Sequence, residues 1–231
     1  MIDNLDLVRE HYRAAGVTER LKAALAALGP DDRPLAPGAL AALDQFHTRG
    51  LAATVELAEL TRLSAEDFVL DVGAGVGGPA RFVAATRGCR VVGVDLSETL
   101  IDAARYLTER TGQTGQVRFQ VAAAAKLPFD DGAFDVALLQ HVAMNVADRA
   151  GLYREIRRVL KPAGRFATYD VVAGDGEPIY PLPWARTPAT SFLLNAAATG
   201  EAIAAAPTVV EVPPTKPQPG NSPSADPVVS C

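Results

Sequence analysis

The segment that most constrains the fold of this chain is a short apolar run that leads directly into a glycine-rich turn. It reads VLDVGAGVGG over residues 69–78, and the next apolar run ends at Asp95, 22 residues after Gly73. Glycine is needed where a backbone turns sharply or where a ligand comes too close for a Cβ atom. An acid at the end of the following strand is typical of sites that hold a ribose. The pattern predicts a strand, turn, helix and strand that together bind a nucleotide-like ligand.

The spacing of the glycines distinguishes between two kinds of ligand. A dinucleotide-binding turn has the spacing G-x-G-x-x-G and directs a helix N-terminus at a pyrophosphate. Here Gly73, Gly75 and Gly77 alternate, and Asp71 stands just before them. A carboxylate attracts a cationic ammonium group and repels a pyrophosphate, which favours S-adenosylmethionine over a nicotinamide or flavin dinucleotide. Asp71 also has an alternative interpretation as a cap of the following helix.

The middle of the chain alternates between short apolar runs and amphipathic segments. The predicted strands are residues 68–72, 90–95, 117–121, 134–139 and 165–172, and the predicted helices are 79–86, 97–111 and 150–160. This alternation predicts an α/β fold of the Rossmann-like type, in which a mostly parallel sheet has helices on both faces. Ligands of such sheets bind beyond the carboxyl ends of the strands.

The apolar residues in the N-terminal part of the chain have the spacing of helices. Two helices are predicted over residues 5–28 and a further one over 39–63. We therefore expect an N-terminal helical cap over residues 1–63, followed by the ligand-binding domain over 64–206.

The C-terminal part of the chain differs from the N-terminal and middle parts. One more helix is predicted over residues 191–206, and seven prolines fall within 207–231, which is expected to be a disordered tail. Pro213 and Pro214 end the one short strand that this region can supply, because proline lacks a backbone donor. We therefore expect the C-terminal strands to be incomplete and the strand at 165–172 to keep an unpaired edge.

Composition excludes several classes of partner. The net charge is −5 and lysine and arginine form no cluster, so nucleic acid is not an expected partner. No run reaches the roughly 20 apolar residues of a membrane span, so no membrane contact is expected. Cys89 and Cys231 do not make a disulfide framework, which favours a soluble protein of the reducing cytoplasm. The three histidines lack the spacing of metal ligands, and no metal is expected.

Together these motifs resemble the class I S-adenosylmethionine-dependent methyltransferases. The resemblance covers roughly residues 44–172 and is specific at the glycine-rich turn. The other matching segments are VVGVDLS at 91–97, KLPF at 126–129, FDV at 134–136 and RVLKPAGR at 158–165. DQFH at 44–47, QHVAMN at 140–145 and PWA at 183–185 are similar to a bacterial branch that includes sarcosine/dimethylglycine and ubiquinone/menaquinone methyltransferases.

The resemblance implies two binding regions for the cofactor. Gly73, Ala74 and Gly75 would line its methionine portion, with Gly77 in the same turn and Asp71 near the ammonium group. Glycine and alanine leave room there for a ligand that lies against the backbone.

The adenosine region contains one departure from the family pattern. Asp95 would hold the ribose hydroxyls and Leu96 would pack on the adenine, whose amino group usually meets an acid after the third strand. This chain has Ala122 and Ala123 there, followed by Ala124 as a further candidate contact of the cofactor, and a lost hydrogen bond of this kind costs about 0.5 to 1.5 kcal/mol.

Further candidates follow the fourth and fifth strands. His141 is the candidate general base, although a hydrogen-bonded positioning histidine is an equal alternative. Gln140 and Asn145 are candidate contacts of the methionine portion or the acceptor, and Asn145 is equally consistent with a helix cap. Tyr180 and Trp184 either line the acceptor site or anchor an irregular loop.

The expected function is methyl transfer from S-adenosylmethionine to a nitrogen, oxygen or carbon atom of a small molecule. Direct displacement requires positioning and desolvation, which explains why the sequence contains no nucleophile triad. The alternative is a degenerate homologue that binds the S-adenosyl ligand without turnover.

Overall fold

The computed structural model describes residues 4–12, 16–26, 34–45, 49–206, 211–212 and 225–230, and these contain a single mixed sheet. Its strands are β1 (Phe68–Val72), β2 (Arg90–Asp95), β3 (Val117–Val121), β4 (Phe134–Gln140), β5 (Leu160–Val171), β6 (Glu211–Val212) and β7 (Ala225–Ser230). Their order is β3-β2-β1-β4-β5-β7-β6. The first five strands pair in parallel, as predicted.

Helices cover both faces of this sheet. They are α1 (Asn4–His11), α2 (Val17–Ala26), α3 (Ala41–Asp44), α4 (Leu51–Leu60), α5 (Gly78–Arg87), α6 (Glu98–Arg110), α7 (Arg149–Val159) and α8 (Ala196–Ala204). Successive residues of β1 face opposite sides, because a strand alternates its side chains. Val69 packs in a core with residues of α4, α5 and α6. Leu70 packs in a second core with residues of α7 and α8.

Local caps explain where the domain helices begin. The Ser97 hydroxyl accepts from the Leu100 N–H at the start of α6, and the Asp148 carboxylate accepts from the Gly151 N–H at the start of α7. Asn195 does the same for α8 through the Ala198 N–H. Because Asn195 is an N-cap, α8 begins there, and the longer helix predicted over 191–206 is wrong at its N-terminal end.

The N-terminal cap contains the expected first two helices, but the single helix predicted over 39–63 is wrong. A 3-10 turn, Pro37–Leu40, runs into the short α3, and α4 begins only at Leu51. Gln45 leaves helical geometry at φ −109° and ψ 66°, and Gly50 has φ 49° and ψ −135°. Gly50 adopts this conformation without the steric cost that a Cβ atom would add.

The prediction that β5 keeps an unpaired edge is also wrong. β7 lies antiparallel to β5, from Phe166 opposite Ser230 to Val171 opposite Ala225, and β6 pairs with β7. The backbone groups of an exposed strand can pair with any extended segment, so β7 forms without a strict side-chain alternation. The remaining residues of the predicted disordered tail lie outside the described residues.

Candidate active site

A cavity of about 470 Å³ lies where the carboxyl ends of β1, β2 and β4 meet. This volume is in the range of small-molecule sites. Residues of α1, among them Leu5 and Val8, lie over it. The predicted site residues that line it are Asp71, Gly73, Ala74, Gly75, Asp95, Leu96, Ala123, Ala124, Gln140 and His141. Of the residues predicted for cofactor binding and catalysis, the structure therefore brings together all except Gly77.

The glycine-rich turn forms the floor of the cavity. Gly73, Gly75 and Gly77 all have positive φ, at 77°, 53° and 80°. A Cβ atom on Gly73 would lie 2.1 Å from Val142 Cγ2, whereas one on Gly75 would meet nothing within 4 Å. Gly77 is the N-cap of α5, and a Cβ atom there would lie 2.4 Å from Phe119 Cζ. Gly77 thus shapes the turn from behind, while Gly75 presents an open backbone to the cavity.

Asp95 is held at the end of β2 by two backbone groups. Its Oδ2 accepts from the Gly75 N–H and its Oδ1 from the Ser97 N–H, each at 2.9 Å. Burial raises the pKa of Asp95, and these backbone hydrogen bonds oppose that shift. The carboxylate ties the glycine turn to β2 and faces the cavity.

Asp71 is the most unusual acid of the site. Its side chain is buried, and Oδ2 has no hydrogen-bond partner in the part of the chain that is described. Burial, followed by the charge of Asp95, raises the pKa of Asp71 to about 7. The Ala80 N–H, in the first turn of α5, partly offsets this shift. Gly77, not Asp71, is the N-cap of α5. The cap interpretation of Asp71 therefore explains its hydrogen bond from the Ala80 N–H but not the unpartnered Oδ2.

A small polar network stands beside the turn. The hydroxyl of Thr54, in α4, donates to Gln45 Oε1 at 2.9 Å and lies 3.3 Å from Gln140 Oε1. Gln140 lines the cavity, and among the described residues no partner meets its buried Nε2. An amide nitrogen is a donor, so Gln140 can serve a ligand carboxylate or carbonyl.

His141 occupies a strained position directly after β4. Its φ is 54°, a region that non-glycine residues rarely adopt. The His141 N–H donates to the Tyr169 carbonyl oxygen at 2.8 Å, and the two rings stack with centroids 5.5 Å apart. These contacts hold the imidazole at the cavity wall. Backbone strain of this kind concentrates at functional sites.

Hydrogen bonds of Asn145 hold the loop after β4 in place, and the sequence analysis predicted only part of this arrangement. Asn145 Nδ2 donates to the carbonyl oxygens of Trp184 at 3.0 Å and Thr190 at 2.7 Å. Its Oδ1 accepts from the Tyr12 hydroxyl at 2.8 Å. Asp148 caps the following helix, so the cap interpretation of Asn145 is wrong. Trp184 lines the cavity and Tyr180 packs beside it.

The sequence analysis assigned no role to Asp44 and Tyr12 in the cavity, or to Asp170, which holds the loop after β4. Asp44 and Tyr12 line the cavity. Asp170, at the end of β5, accepts from the Ala143 N–H at 2.6 Å and the Val171 N–H at 2.9 Å, and burial raises its pKa to about 6. The rule that found Asp95, an acid at the carboxyl end of a strand, would also have found Asp170. No local signal marks Tyr12.

Among the described residues, no group of three or more histidine, cysteine, aspartate or glutamate side chains is placed to hold a metal ion. Within the same residues, no helix has the length and apolar character required to cross a membrane.

Residues 70–168 match the family model described as a methyltransferase domain. This part of the chain is thus similar to methyltransferase domains, and the resemblance to class I S-adenosylmethionine-dependent enzymes is confirmed. A sterol 24-C-methyltransferase of Saccharomyces cerevisiae is 38% identical over 109 residues, which cover 47% of this chain and 28% of the relative. A sarcosine/dimethylglycine N-methyltransferase of Halorhodospira halochloris is 36% identical over 127 residues, 54% of this chain and 46% of the relative. The chain thus matches less than half the length of these relatives.

Solved structures agree on the fold. A geranyl diphosphate C-methyltransferase from Streptomyces coelicolor superposes with a TM-score of 0.69 at 22% identity, over 93% of this chain and 82% of that chain. The [4+2]-cyclase SpnF superposes with a TM-score of 0.62 at 29% identity, over 71% of this chain and 59% of that chain. The mostly parallel Rossmann-like sheet is the fold that these proteins share.

Proposed function

We propose that this chain transfers the methyl group of S-adenosylmethionine to a nitrogen, oxygen or carbon atom of a small-molecule acceptor. The observation that carries the proposal is the charge of the cavity. Asp44, Asp71 and Asp95 line it, and no lysine or arginine is among its lining residues in the described chain. Such a cavity favours a ligand with a net positive charge, and a sulfonium with an ammonium group is such a ligand.

The lining residues fit the parts of this cofactor. The open backbone at Gly75 and the unpartnered oxygen of Asp71 suit the methionine portion and its ammonium group. Asp95 suits the ribose hydroxyls, because a carboxylate accepts two hydrogen bonds in a bidentate manner. Leu96 and the alanines at 122–124 suit the apolar adenine face. When bound, the sulfonium supplies an activated methyl group.

The contribution of the chain is positioning and exclusion of water. Val8, Tyr12 and Trp184 lie over the cavity and would remove solvent from the two reactants. His141 is the side chain proposed to accept a proton where the acceptor loses one, and its stacking on Tyr169 fixes the direction of the ring. A carbon or amine acceptor that needs no such step would use His141 for positioning only.

The second candidate is a protein that binds the S-adenosyl ligand without methyl transfer. Two observations support it. No acid lies at Ala123 to accept from the adenine amino group, and a protein of the same fold, SpnF, is a [4+2]-cyclase. Function resides in the site rather than in the fold, so the choice between the two candidates rests on turnover.

Methyl-labelled S-adenosylmethionine, offered with a panel of amines, phenols, carboxylates and terpenoid alcohols, tests the proposal. We expect label to enter at least one compound and S-adenosylhomocysteine to form in equal amount. The Asp95→Ala variant is the control that should lose most of the signal. Tight binding by calorimetry with no label transferred to any of the panel would favour the second candidate.

We also propose a cytoplasmic location, which the low cysteine content supports.

A further inference from the structure

The last residue of α3, Asp44, packs against the first turn of α5. A Cβ atom on Gly78 would lie 2.2 Å from the Asp44 carbonyl oxygen, so the two backbones approach at a distance that only glycine permits. Leu40, just before α3, packs with Val76 of the glycine-rich turn. These contacts fix the Asp44 backbone against the turn that forms the cavity floor.

The Asp44 side chain is almost completely removed from solvent, yet only half of its carboxylate is used. The side chain is 3% exposed, and Oδ2 accepts from Arg81 Nη2 at 2.8 Å. Oδ1 is buried and has no hydrogen-bond partner among the described residues. Asp44 also lines the cavity. A buried carboxylate oxygen without a donor is costly, and native proteins rarely keep one unless a ligand satisfies it.

Arg81 is bonded to Asp44 and is also influenced by the charge of Asp71. Its side chain is 1% exposed and also donates to the Ala104 carbonyl oxygen at 3.3 Å. The charges of Asp44 and Asp71 both act on it. One buried guanidinium is thus ion-paired with Asp44 and interacts electrostatically with Asp71, and each of the two carboxylates has an oxygen without a donor among the described residues. When both are ionised, the group has one excess negative charge beside the cavity.

We propose that Asp44 is the second carboxylate of a subsite for the ammonium group of the cofactor, and that it acts together with Asp71. This inference rests on the proposed function and extends the cofactor site into the N-terminal cap. Arg81 is the positioning residue that holds Asp44, because it occupies Oδ2 and leaves Oδ1 available to a ligand. The subsite makes the chain selective for ligands with an amino acid portion.

Binding of two ligands that differ only in that portion tests the assignment. S-adenosylhomocysteine has the ammonium group, whereas 5′-methylthioadenosine keeps the adenosine and the sulfur without it. Asn at position 44 can still accept from Arg81, but its NH₂ group cannot accept from an ammonium group. By calorimetry, Asp44→Asn should weaken S-adenosylhomocysteine about 10- to 100-fold. The affinity for methylthioadenosine should change less than about twofold.

Asp67→Asn is the matched control. Asp67 is another buried carboxylate paired with an arginine, Arg165, and it does not line the cavity. It should lose stability as Asp44→Asn does, without changing the ratio of the two affinities. Equal weakening of both ligands by Asp44→Asn would reduce Asp44 to a structural partner of Arg81 and overturn the proposal.

A crystal structure of the unmutated protein with S-adenosylhomocysteine tests the same point if the variant does not fold. The ammonium nitrogen should lie within hydrogen-bond distance of Asp44 Oδ1, directly or through one water. A position out of reach of Oδ1 would overturn the proposal while leaving the cofactor assignment intact. Failure of the unmutated protein to bind either ligand would instead remove the proposed function.

Discussion

Two walls of the same cavity differ in how their polar side chains are satisfied. The acidic wall, formed by Asp71, Gly73, Gly75 and Asp95, contains a buried carboxylate oxygen with no partner among the described residues. The loop wall, formed by Val142, Met144, Asn145 and Trp184, has its central amide bonded on both sides. Each wall contains one buried polar side chain, Asp71 in the first and Asn145 in the second. The two walls thus differ in hydrogen-bond satisfaction: the first keeps an oxygen that a ligand can use, whereas the Asn145 amide of the second is already bonded within the protein.

The largest effect should come from closing the acidic wall at its floor. Gly73→Ala would force a left-handed backbone on alanine and press its Cβ atom against Val142. We expect a loss of about 2 to 5 kcal/mol of unfolding free energy, because backbone strain and overpacking add. Denaturant unfolding measures it.

Gly75→Ala is the matched control for that substitution. Its φ is also positive, but a Cβ atom there meets nothing. The cost should be only the backbone contribution of about 1 to 2 kcal/mol. Equal destabilisation by both substitutions would mean that Val142 moves aside and that the two walls are not in rigid contact.

The next prediction separates the walls directly. Asn145→Ala leaves the Trp184 and Thr190 carbonyl oxygens without a donor. We expect about 2 to 4 kcal/mol less unfolding free energy. Asp95→Ala should instead weaken S-adenosylmethionine binding by about 1.5 to 3 kcal/mol, because the lost partner is charged. Unfolding curves and calorimetry on both variants measure the two effects, and an unchanged affinity in Asp95→Ala would show that the ribose is held elsewhere.

The sequence predicted the acidic wall because its signal is local. A strand, three alternating glycines and an acid at the end of the next strand lie within 27 residues, from Val69 to Asp95. Asp44 was not assigned a role because its partner Arg81 lies 37 residues away and no pattern joins them. The helix predicted over 39–63 fails for a related reason. The contact between Asp44 and Gly78 is tertiary and outweighs the helical apolar spacing.

The C-terminal edge illustrates a different limit. Pro227 lies opposite Tyr169 in the β5–β7 pair, where a proline cannot donate to the ladder. Side-chain patterns therefore argued against a strand at 225–230. The pairing uses the free backbone edge of β5 instead, and a periodicity argument does not detect backbone groups. The glycine-rich floor of the cavity was thus predictable from local residue spacing, whereas the sheet edge was not.

A smaller effect should follow from pH at the acidic wall. The pKa of Asp71 is raised to about 7, and an ammonium group binds its ionised form. Affinity for S-adenosylhomocysteine should therefore fall by up to about tenfold for each pH unit below 7. Calorimetry at pH 6, 7 and 8 measures this slope. Asp71→Asn should weaken binding and flatten the slope, whereas Asp175→Asn, at an exposed loop acid, should keep it.

The raised pKa of Asp71 should make the unfolding free energy depend on pH in the opposite direction to the affinity. Because the folded-state pKa of Asp71 lies above its value of 3.8 in water, the folded protein holds its proton more tightly between about pH 4 and 7. The Asp71 contribution to the unfolding free energy is thus full below pH 4 and is lost as the pH rises to 7. Above pH 7, Asp71→Asn should stabilise the fold by about 1 to 3 kcal/mol, since no buried charge is then required. A destabilised variant would mean that the ionised carboxylate is already compensated without a ligand.

The smallest expected effect concerns the missing acid beside the adenine region. Ala123 lines the cavity, and its carbonyl oxygen accepts from the Lys126 N–H at 3.0 Å, so its backbone position is fixed. Ala123→Asp should strengthen S-adenosylhomocysteine binding by about 0.5 to 1.5 kcal/mol, because the new carboxylate can accept from the adenine amino group. Ala125→Asp is the control, since it adds the same charge at an exposed residue that does not line the cavity. A gain common to both variants would reflect general attraction of a cationic ligand rather than a specific contact. Weaker binding in Ala123→Asp alone would mean that the new carboxylate meets apolar wall instead of the amino group, and that the alignment of this loop with the family is shifted.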